Sequence, residues 1–479
     1  MIRRVPRRGC FTVALAAILA GCTIAGPTYV PPEPLAGIAD RPNSAFEASS
    51  SPALADVPMP SHWWRLYNDP RLDALVEQAL AANTDLRAAA ANLERAHAVV
   101  REVRAAAGAQ ATVEGGPSVG QTTSLGVAPS AGIHAQIDAG VGISYQVDVV
   151  GRIRRAIEAA NAGAEAQAAA LDLARTTVAA GVVGAYTNAC AAGAQIDVAQ
   201  QSLNLQRRSL ALTERGVRGG VFAPLDAVRS RTLAAQLAAT LPPLEANRRV
   251  ALYQLAVLTG KAPTDYPAEL ATCTAMPHID RPLPIGDGAA LIRRRPDIRQ
   301  AERQLAAATA TIGVETADLY PSISIGASAG TTSRRVSGLL SSSALRFNVG
   351  PLISWTFPNR GVARARIAQA NAEAKAALAG FDGTVLTALR EAESALTVYV
   401  RDLEENAQLR VARDQSRKAA GIQRRLSRGG TVSGLEALDV ERTLATAESA
   451  LAASDAKLAS DRVAIFLALG GGWEPDSQP

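Results

Sequence analysis

The sequence predicts a mainly α-helical chain with a transmembrane β part, assembled from two similar halves. Three observations carry that expectation: a duplication, stretches of period-two alternation, and helical runs too long for a compact globule. The duplication is direct. Ile157, Ala160, Asn161, Ala162, Ala164, Ala166 and Asp172 recur as Ile367, Ala370, Asn371, Ala372, Ala374, Ala376 and Asp382. At the same offset of roughly 210 positions Tyr145 answers Trp355 and Gly151 answers Gly361, so one structural unit has been repeated. Arg218-Gly219-Gly220 with Leu225 returns as Arg428-Gly429-Gly430 with Leu435. Each copy reads strand, strand, long helix, long helix, and the copies occupy 63–270 and 271–479.

In each copy a pair of strands precedes the long helices. Ile133, Ala135, Ile137, Ala139, Val141, Ile143, Tyr145 and Val147 alternate with His134, Gln136, Asp138, Gly140, Gly142, Ser144, Gln146 and Asp148. That period gives a strand over about 133–148 with one apolar and one polar face. In the second copy Leu345, Phe347, Val349, Ile353, Trp355 and Phe357 oppose Arg346, Asn348, Ser354 and Thr356, over about 344–357. Weaker partners precede each, at about 109–122 and about 320–333. Strands of about ten residues, apolar outside and polar inside, match transmembrane β-barrels. A soluble sandwich would need a second sheet, and no further strands remain to build one. Tyr145, Trp355 and Phe357, near strand ends, suit an interfacial aromatic girdle. Four strands cannot close a barrel, and hydrocarbon does not tolerate open edges, so the chain must self-associate. Eight strands would need a dimer and twelve a trimer; counting does not choose.

The helices follow. After Gly151 a helical pattern runs to about Arg215, roughly 95 Å at about 1.5 Å per residue. Its counterpart runs from near Arg364 to about Arg425. Each returns through a short Gly-containing turn, giving hairpins over about 152–258 and about 364–469, with tips near 216–224 and 426–434. Val385, Leu389, Ala392, Leu396, Tyr399 and Leu403 step by four and three, as do Leu237, Leu241, Leu244, Arg248, Ala251, Leu255 and Leu258. That is a coiled-coil spacing with small residues among the knobs. Pro242-Pro243 predicts a kink in the first return helix. Two further helices, Pro70 to Ala107 and Pro296 to Asp318, precede the strand pairs.

The N-terminus carries Arg3, Arg4, Arg7 and Arg8, then an apolar run from Phe11 to Ala20, then Gly21-Cys22. The run is too short to cross a bilayer and has the three-part layout of a secretory signal over 1–21. Leu19-Ala20-Gly21-Cys22 resembles the bacterial lipobox, which makes Cys22 the candidate lipidation site and puts acyl chains in a membrane surface. Residues 22–62, rich in Pro, Ser and Ala, read as a lipidated tether. Without the four leading arginines the formal charge of +5 drops to about +1, so no nucleic-acid partner is expected. Cys190 and Cys273 then remain as an even pair in an oxidising compartment, a candidate disulfide whose meeting the spacing alone does not show.

Catalysis finds little support. Gly326-Ala327-Ser328-Ala329-Gly330 satisfies a nucleophile-elbow pattern, yet it lies in an alternating strand rather than a strand-to-helix turn. His62, His97, His134 and His278 show no metal-ligand spacing, and Gly115-Gly116 with Gly120 lacks the context of a dinucleotide loop. No cofactor or metal is expected.

Several motifs together resemble the outer-membrane factor family, the TolC-like exit ducts of tripartite efflux pumps, and its NodT-type lipoproteins in particular. They are Gly26-Pro27-Thr28-Tyr29, Trp63-Trp64-Arg65-Leu66, Asp69-Pro70-Arg71-Leu72, Tyr145-Gln146-Val147-Asp148 with Gly151-Arg152, and Arg294-Arg295-Pro296-Asp297-Ile298-Arg299. The resemblance covers essentially the whole mature chain. It implies a homotrimer whose four strands per protomer complete a 12-stranded barrel in the outer membrane, in contact with its lipid. It also implies a periplasmic α-helical barrel, a periplasmic adaptor protein and an inner-membrane RND pump as partners. The function implied is passive export of drugs or other small molecules, with a type I protein-secretion duct as the alternative. By motif, Arg428, Glu436 and Asp439 fall where the family keeps its gate arginine and gate acids, and Asp226 is the corresponding acid of the first hairpin. Arg218, Gly219, Gly220, Gly429 and Gly430 form the tips that an adaptor would meet. Ser427 stands where the family has a tyrosine, a departure in the latch.

Overall fold

The computed structural model describes residues 24–32, 46–120, 134–286, 294–355, 360–428 and 434–471. Short 3-10 turns at Glu47–Ser50 and Trp63–Tyr67 flank β1 (Leu54–Ala55). Then come α1 (Pro70–Ala82), α2 (Thr84–Ala106), β2 (Gln110–Gly120) and β3 (His134–Val147). The first hairpin is α3 (Arg152–Arg218), α4 (Pro224–Ala239) and α5 (Leu241–Leu258). After β4 (Leu283–Pro284) the second half runs α6 (Pro296–Ala317), β5 (Ser322–Ser333), β6 (Leu345–Ser354), α7 (Arg360–Arg428) and α8 (Gly434–Ala468).

The described residues fall into two compact units, and each draws on both sequence copies. One comprises the described parts of 24–32, 92–167 and 300–381; the other comprises the described parts of 46–91, 168–299 and 382–471.

The first unit holds a four-stranded antiparallel sheet in the order β2-β3-β5-β6. Its register sets Gly116 against Asp138 and Asp138 against Thr332, so the polar positions of neighbouring strands share one face. β3 hands over to α3 through Gly151, whose φ of +81° suits glycine. The Asp148 carboxylate caps that helix, accepting the backbone N–H groups of Ile153 (3.1 Å) and Arg154 (3.0 Å). The packed interior here is built of small side chains, among them Ala162, Ala164, Ala166, Ala306 and Ala310. Such residues let helix backbones approach closely.

The second unit holds the greater part of the helical hairpins and the short β1–β4 pair. β1 and β4 pair in parallel, and Trp63, Trp64, Leu72, Val76, Tyr186, Leu255, Ile465 and Phe466 are buried in this unit. Trp63 stacks on Phe466 with ring centroids 4.4 Å apart. α3 is the one described helix long and apolar enough in composition to cross a membrane, but half of its apolar stretch is buried inside the protein, as in a bundle helix.

Four local expectations change. The helix expected from Pro70 to Ala107 is two helices, broken at Asn83. Its side chain stops one and starts the next: Oδ1 accepts the N–H of Asp85 (2.8 Å) and Leu86 (3.2 Å), while Nδ2 donates to the carbonyl of Leu258 (3.0 Å). The expected kink at Pro242-Pro243 is a break at Thr240, because the prolines sit in the first turn of α5, where a missing N–H costs nothing. The tether expected over 22–62 is in part docked: Phe46 is buried, and Ala25, Gly26, Thr28 and Tyr29 are bonded as described below. On α7 the buried stripe reads Val385, Ala388, Ala392, Leu396, Tyr399, Asp402 and Asn406, so Leu389 and Leu403 lie beside the seam rather than in it. Thr356 and Phe357 lie outside the described residues.

Candidate functional site

The sheet is two-faced. On one side stand Val113, Val141, Ile143, Tyr145, Ile325, Phe347, Val349, Ile353 and Trp355, and every one is exposed. Val113 is 84% and Phe347 80% exposed, values that a water-facing sheet of this size would not tolerate over so many neighbours. The opposite face carries Thr112, Glu114, Ser118, Gln136, Ser144, Ser324, Ser328, Thr332, Arg346 and Asn348, separated by glycines. β2 and β6 are each paired on one side only among the described strands, leaving two open edges. The Ser328 of the elbow-like pattern sits within β5, so the strand-to-helix turn that such a nucleophile needs is not there.

One carboxylate on the polar face touches every strand. Asp138 of β3 accepts from Thr332 Oγ1 of β5 (2.6 Å) and Ser118 Oγ of β2 (2.9 Å). It also pairs with Arg346 of β6 at 3.2 Å and accepts from its neighbour Gln136 at 3.4 Å. In the sequence Asp138 is one polar alternate among several; the cross-strand register is what reveals its role.

The segment after Cys22 is fixed at the base of this sheet. Ala25 N–H donates to the Val150 carbonyl (2.8 Å), just past the end of β3. Ile24 packs on Gly151 so closely that a Cβ there would lie 2.7 Å from its Cγ2. Arg155, nearly buried, donates from Nε to the Ala25 carbonyl (3.2 Å) and from Nη2 to the Gly26 carbonyl (3.4 Å) and Thr28 Oγ1 (3.4 Å). Gly26 lies against Gly313, where a Cβ would come within 2.4 Å of the Gly313 Cα. The Tyr29 hydroxyl donates to Glu302 (2.9 Å), and the Arg303 guanidinium sits 5.6 Å over its ring. Burial first, then the bond to Glu302, raises the Tyr29 pKa above its usual range. Cys22 itself lies outside the described residues.

In the second unit the first hairpin tip is complete. Arg218 ends α3, Gly219 N–H donates to the Arg215 carbonyl (3.0 Å) and Gly220 N–H to the Val217 carbonyl (3.1 Å). Gly220 has φ +73°, the left-handed conformation that closes the helix. Phe222 folds back over Gly216, and Val221 is 74% exposed. The Asp226 carboxylate accepts the Ala223 N–H at 3.2 Å, holding the start of α4. At the second tip Gly429 and Gly430 lie outside the described residues, between Arg428 at the end of α7 and Gly434 at the start of α8. Asp439 Oδ1 accepts from Arg442 Nη2 at 2.6 Å, with both side chains exposed. Asp226 and Asp439 are thus each satisfied within their own helix. Arg442 was not among the expected gate residues, although its i,i+3 spacing from Asp439 could have pointed to it.

Cys190 of α3 and Cys273 are joined in a disulfide, with Cα atoms 4.8 Å apart and both residues buried. Gly193, one turn on, lets the Cys273 carbonyl approach; a Cβ at 193 would lie 1.9 Å from that oxygen. Among the described residues no cluster of histidine, cysteine and acidic groups could hold a metal ion.

A two-faced, open-edged sheet joined to two long helical hairpins defines an outer-membrane channel protein that extends into the periplasm. The family model described as outer membrane efflux protein matches residues 75–261 and 289–471, and the chain belongs to that family. It is 31% identical over 468 residues to the "Probable efflux pump outer membrane protein TtgC" of Pseudomonas putida, covering 96% of this chain and 94% of that one. It is 29% identical over 470 residues to "Nodulation protein T" of Rhizobium leguminosarum bv. trifolii, covering 97% of each. Among solved structures it is similar to the outer-membrane channel OprN, with TM-score 0.86, 37% identity and coverage of 94% of this chain and 99% of that one. It is also similar to the open state of the Neisseria gonorrhoeae MtrE outer membrane channel, with TM-score 0.80, 26% identity and coverage of 96% and 100%. The chain is an outer-membrane efflux channel.

Proposed function

We propose that this protein is the exit duct of a tripartite, RND-type efflux system, passing small molecules without chemistry of its own. The observation that carries the reading is the sheet: one face apolar and exposed, one polar, with both edges open. In a bilayer such edges must be paired, and three copies give twelve strands, a closed barrel with the polar face inward. The similarity to TtgC, named as an efflux pump outer membrane protein, supports a pump as partner, and a periplasmic adaptor is the further partner that the resemblance to tripartite exit ducts implies. The segment that follows the lipobox supports lipidation: Ala25 is bonded to Val150 past the end of β3, so the chain just after Cys22 in sequence is held at the sheet.

The periplasmic gate is assigned to the hairpin tips, with Arg428, Glu436, Asp439 and Asp226 as its charges and Arg218, Gly219, Gly220, Gly429 and Gly430 as the surface met by the adaptor. An exposed pair such as Asp439–Arg442 contributes on the order of 1 kcal/mol or less, weak enough for a partner to displace. The test is reconstitution of the purified protein in planar bilayers. A trimer that survives detergent and conducts in discrete steps is expected, with higher conductance for Asp439→Ala. A monomer without conductance overturns the duct; a conducting trimer that Asp439→Ala leaves unchanged removes Asp439 from the gate alone.

A further inference from the structure

The seam between α7 and α8 contains two buried polar positions on α7. Asn406 is satisfied: its Nδ2 donates to Ser454 Oγ (3.1 Å) and Asp455 Oδ1 (2.8 Å). Asp402 is satisfied on one side only. Its Oδ1 accepts from Lys457 Nζ at 2.8 Å, while its Oδ2 is buried with no donor. Asp461, one turn beyond Lys457 on α8, likewise has a buried Oδ2 without a donor, and the two carboxyl groups meet. Two facing acceptors leave both oxygens unsatisfied and place like charges together out of water. A single proton removes both penalties, since a protonated carboxyl donates one O–H to its neighbour.

We propose that Asp402 and Asp461 share one proton, and that this proton fastens α7 to α8 in acid and is released as the medium becomes neutral. The surroundings fit. Lys457 faces Asp402, with Glu405 4.0 Å from its ammonium. Arg462 follows Asp461 and lies 3.5 Å from the Tyr399 hydroxyl, and the 3-10 turn brings Tyr67 toward the same arginine. α3 presents the uncharged Asn188, bonded to Ser460 at 3.2 Å. Burial, then the hydrogen bond to Asp402 and its charge, pushes the Asp461 carboxyl up to about 7. The bond from Lys457 holds Asp402 below the usual carboxylate range, so Asp461 is the protonated partner.

The sign of the pH dependence follows. Unfolded, Asp461 titrates near 3.8; folded, near about 7; between these values the folded protein holds the extra proton. Stability therefore falls as pH rises through that window, by up to about tenfold in the folding equilibrium per pH unit, and no further above it. Asp402 acts in the opposite sense and only in stronger acid, because its folded pKa is depressed.

The experiment compares thermal midpoints of the purified full-length protein between about pH 5 and 8 for wild type and Asp461→Asn. Asparagine keeps the shape and donates an N–H to Asp402, but does not titrate. The wild-type midpoint should fall by on the order of a few degrees relative to the variant up to neutral pH, then run parallel to it. Curves parallel throughout overturn the proposal. Should Asp461→Asn fail to assemble, Asp402→Asn serves, because removing the charge at 402 lowers the proton affinity of Asp461. The pH window of the midpoint then moves toward acid, and an unmoved window overturns the proposal.

Discussion

The hydroxyl of Tyr186 donates a 2.5 Å hydrogen bond to Oδ2 of Asp69, the same carboxylate whose Oδ1 accepts the Arg71 N–H at the start of α1. A buried tyrosine on a long helix and the cap of α1 thereby share one side chain. Asp69→Ala removes the cap and leaves the Tyr186 hydroxyl without its partner, a cost of about 1–3 kcal/mol read as a lowered unfolding midpoint. Tyr186→Phe loses less. Burial alone would raise the Asp69 pKa, but the bonds from Tyr186 and Arg71 outweigh it and hold the group below its usual range. The stability so contributed is present above the unfolded value and disappears as pH falls through the folded one. Wild type and Tyr186→Phe should therefore differ most above about pH 4 and converge in stronger acid.

Reduction of the Cys190–Cys273 bridge, or its replacement by two alanines, should lower the unfolding midpoint. The cysteines are 83 positions apart, and loop-closure entropy for a ring of that size amounts to roughly 4–5 kcal/mol. Thermal unfolding with and without reductant measures it. The double alanine variant should be insensitive to reductant.

Asp138→Ala should weaken the sheet at every strand junction, since Ser118, Thr332 and Arg346 lose a common partner. The expected readout is a lower temperature of oligomer dissociation in detergent gels. Asp138→Asn, which still accepts through one oxygen, should fall between the variant and wild type.

Cys22→Ser should abolish incorporation of labelled palmitate. Label still entering the variant would place the acyl chains on another residue. Because Arg155 and Val150 hold residues 25–28 independently, the variant should retain its fold and lose only the anchor.

The strands were legible because a period of two needs no partner to be read, and Val141, Ile143 and Tyr145 declared their face one by one. The long helices were legible for the same reason, through their 3.5 spacing. What the sequence hid depends on neighbours distant in the chain. Asn83 looks like an ordinary polar position until Leu258 offers it a carbonyl, and Asp402 hides beside Leu403, which fits the apolar spacing equally well. β1 and β4, at two residues each, are too short to carry a period. At the tips the family motif marks Asp226 and Asp439 for a gate, while their local partners, Ala223 and Arg442, are each three positions away and form no part of that motif.

The pairing of β3 with β5 joins residues 137–147 to residues 323–333, and each compact unit mixes the two sequence copies. A chain emerging from its N-terminus can close the β2–β3 hairpin early, but that hairpin must wait for nearly two hundred further residues before its second neighbour exists. Contacts of such sequence separation form slowly, and meanwhile Val113, Val141 and Ile143 stand uncovered. Neither copy can mature alone. The duplicated halves are one folding reaction, and the interval between the two hairpins is the period in which this chain most needs shelter from aggregation.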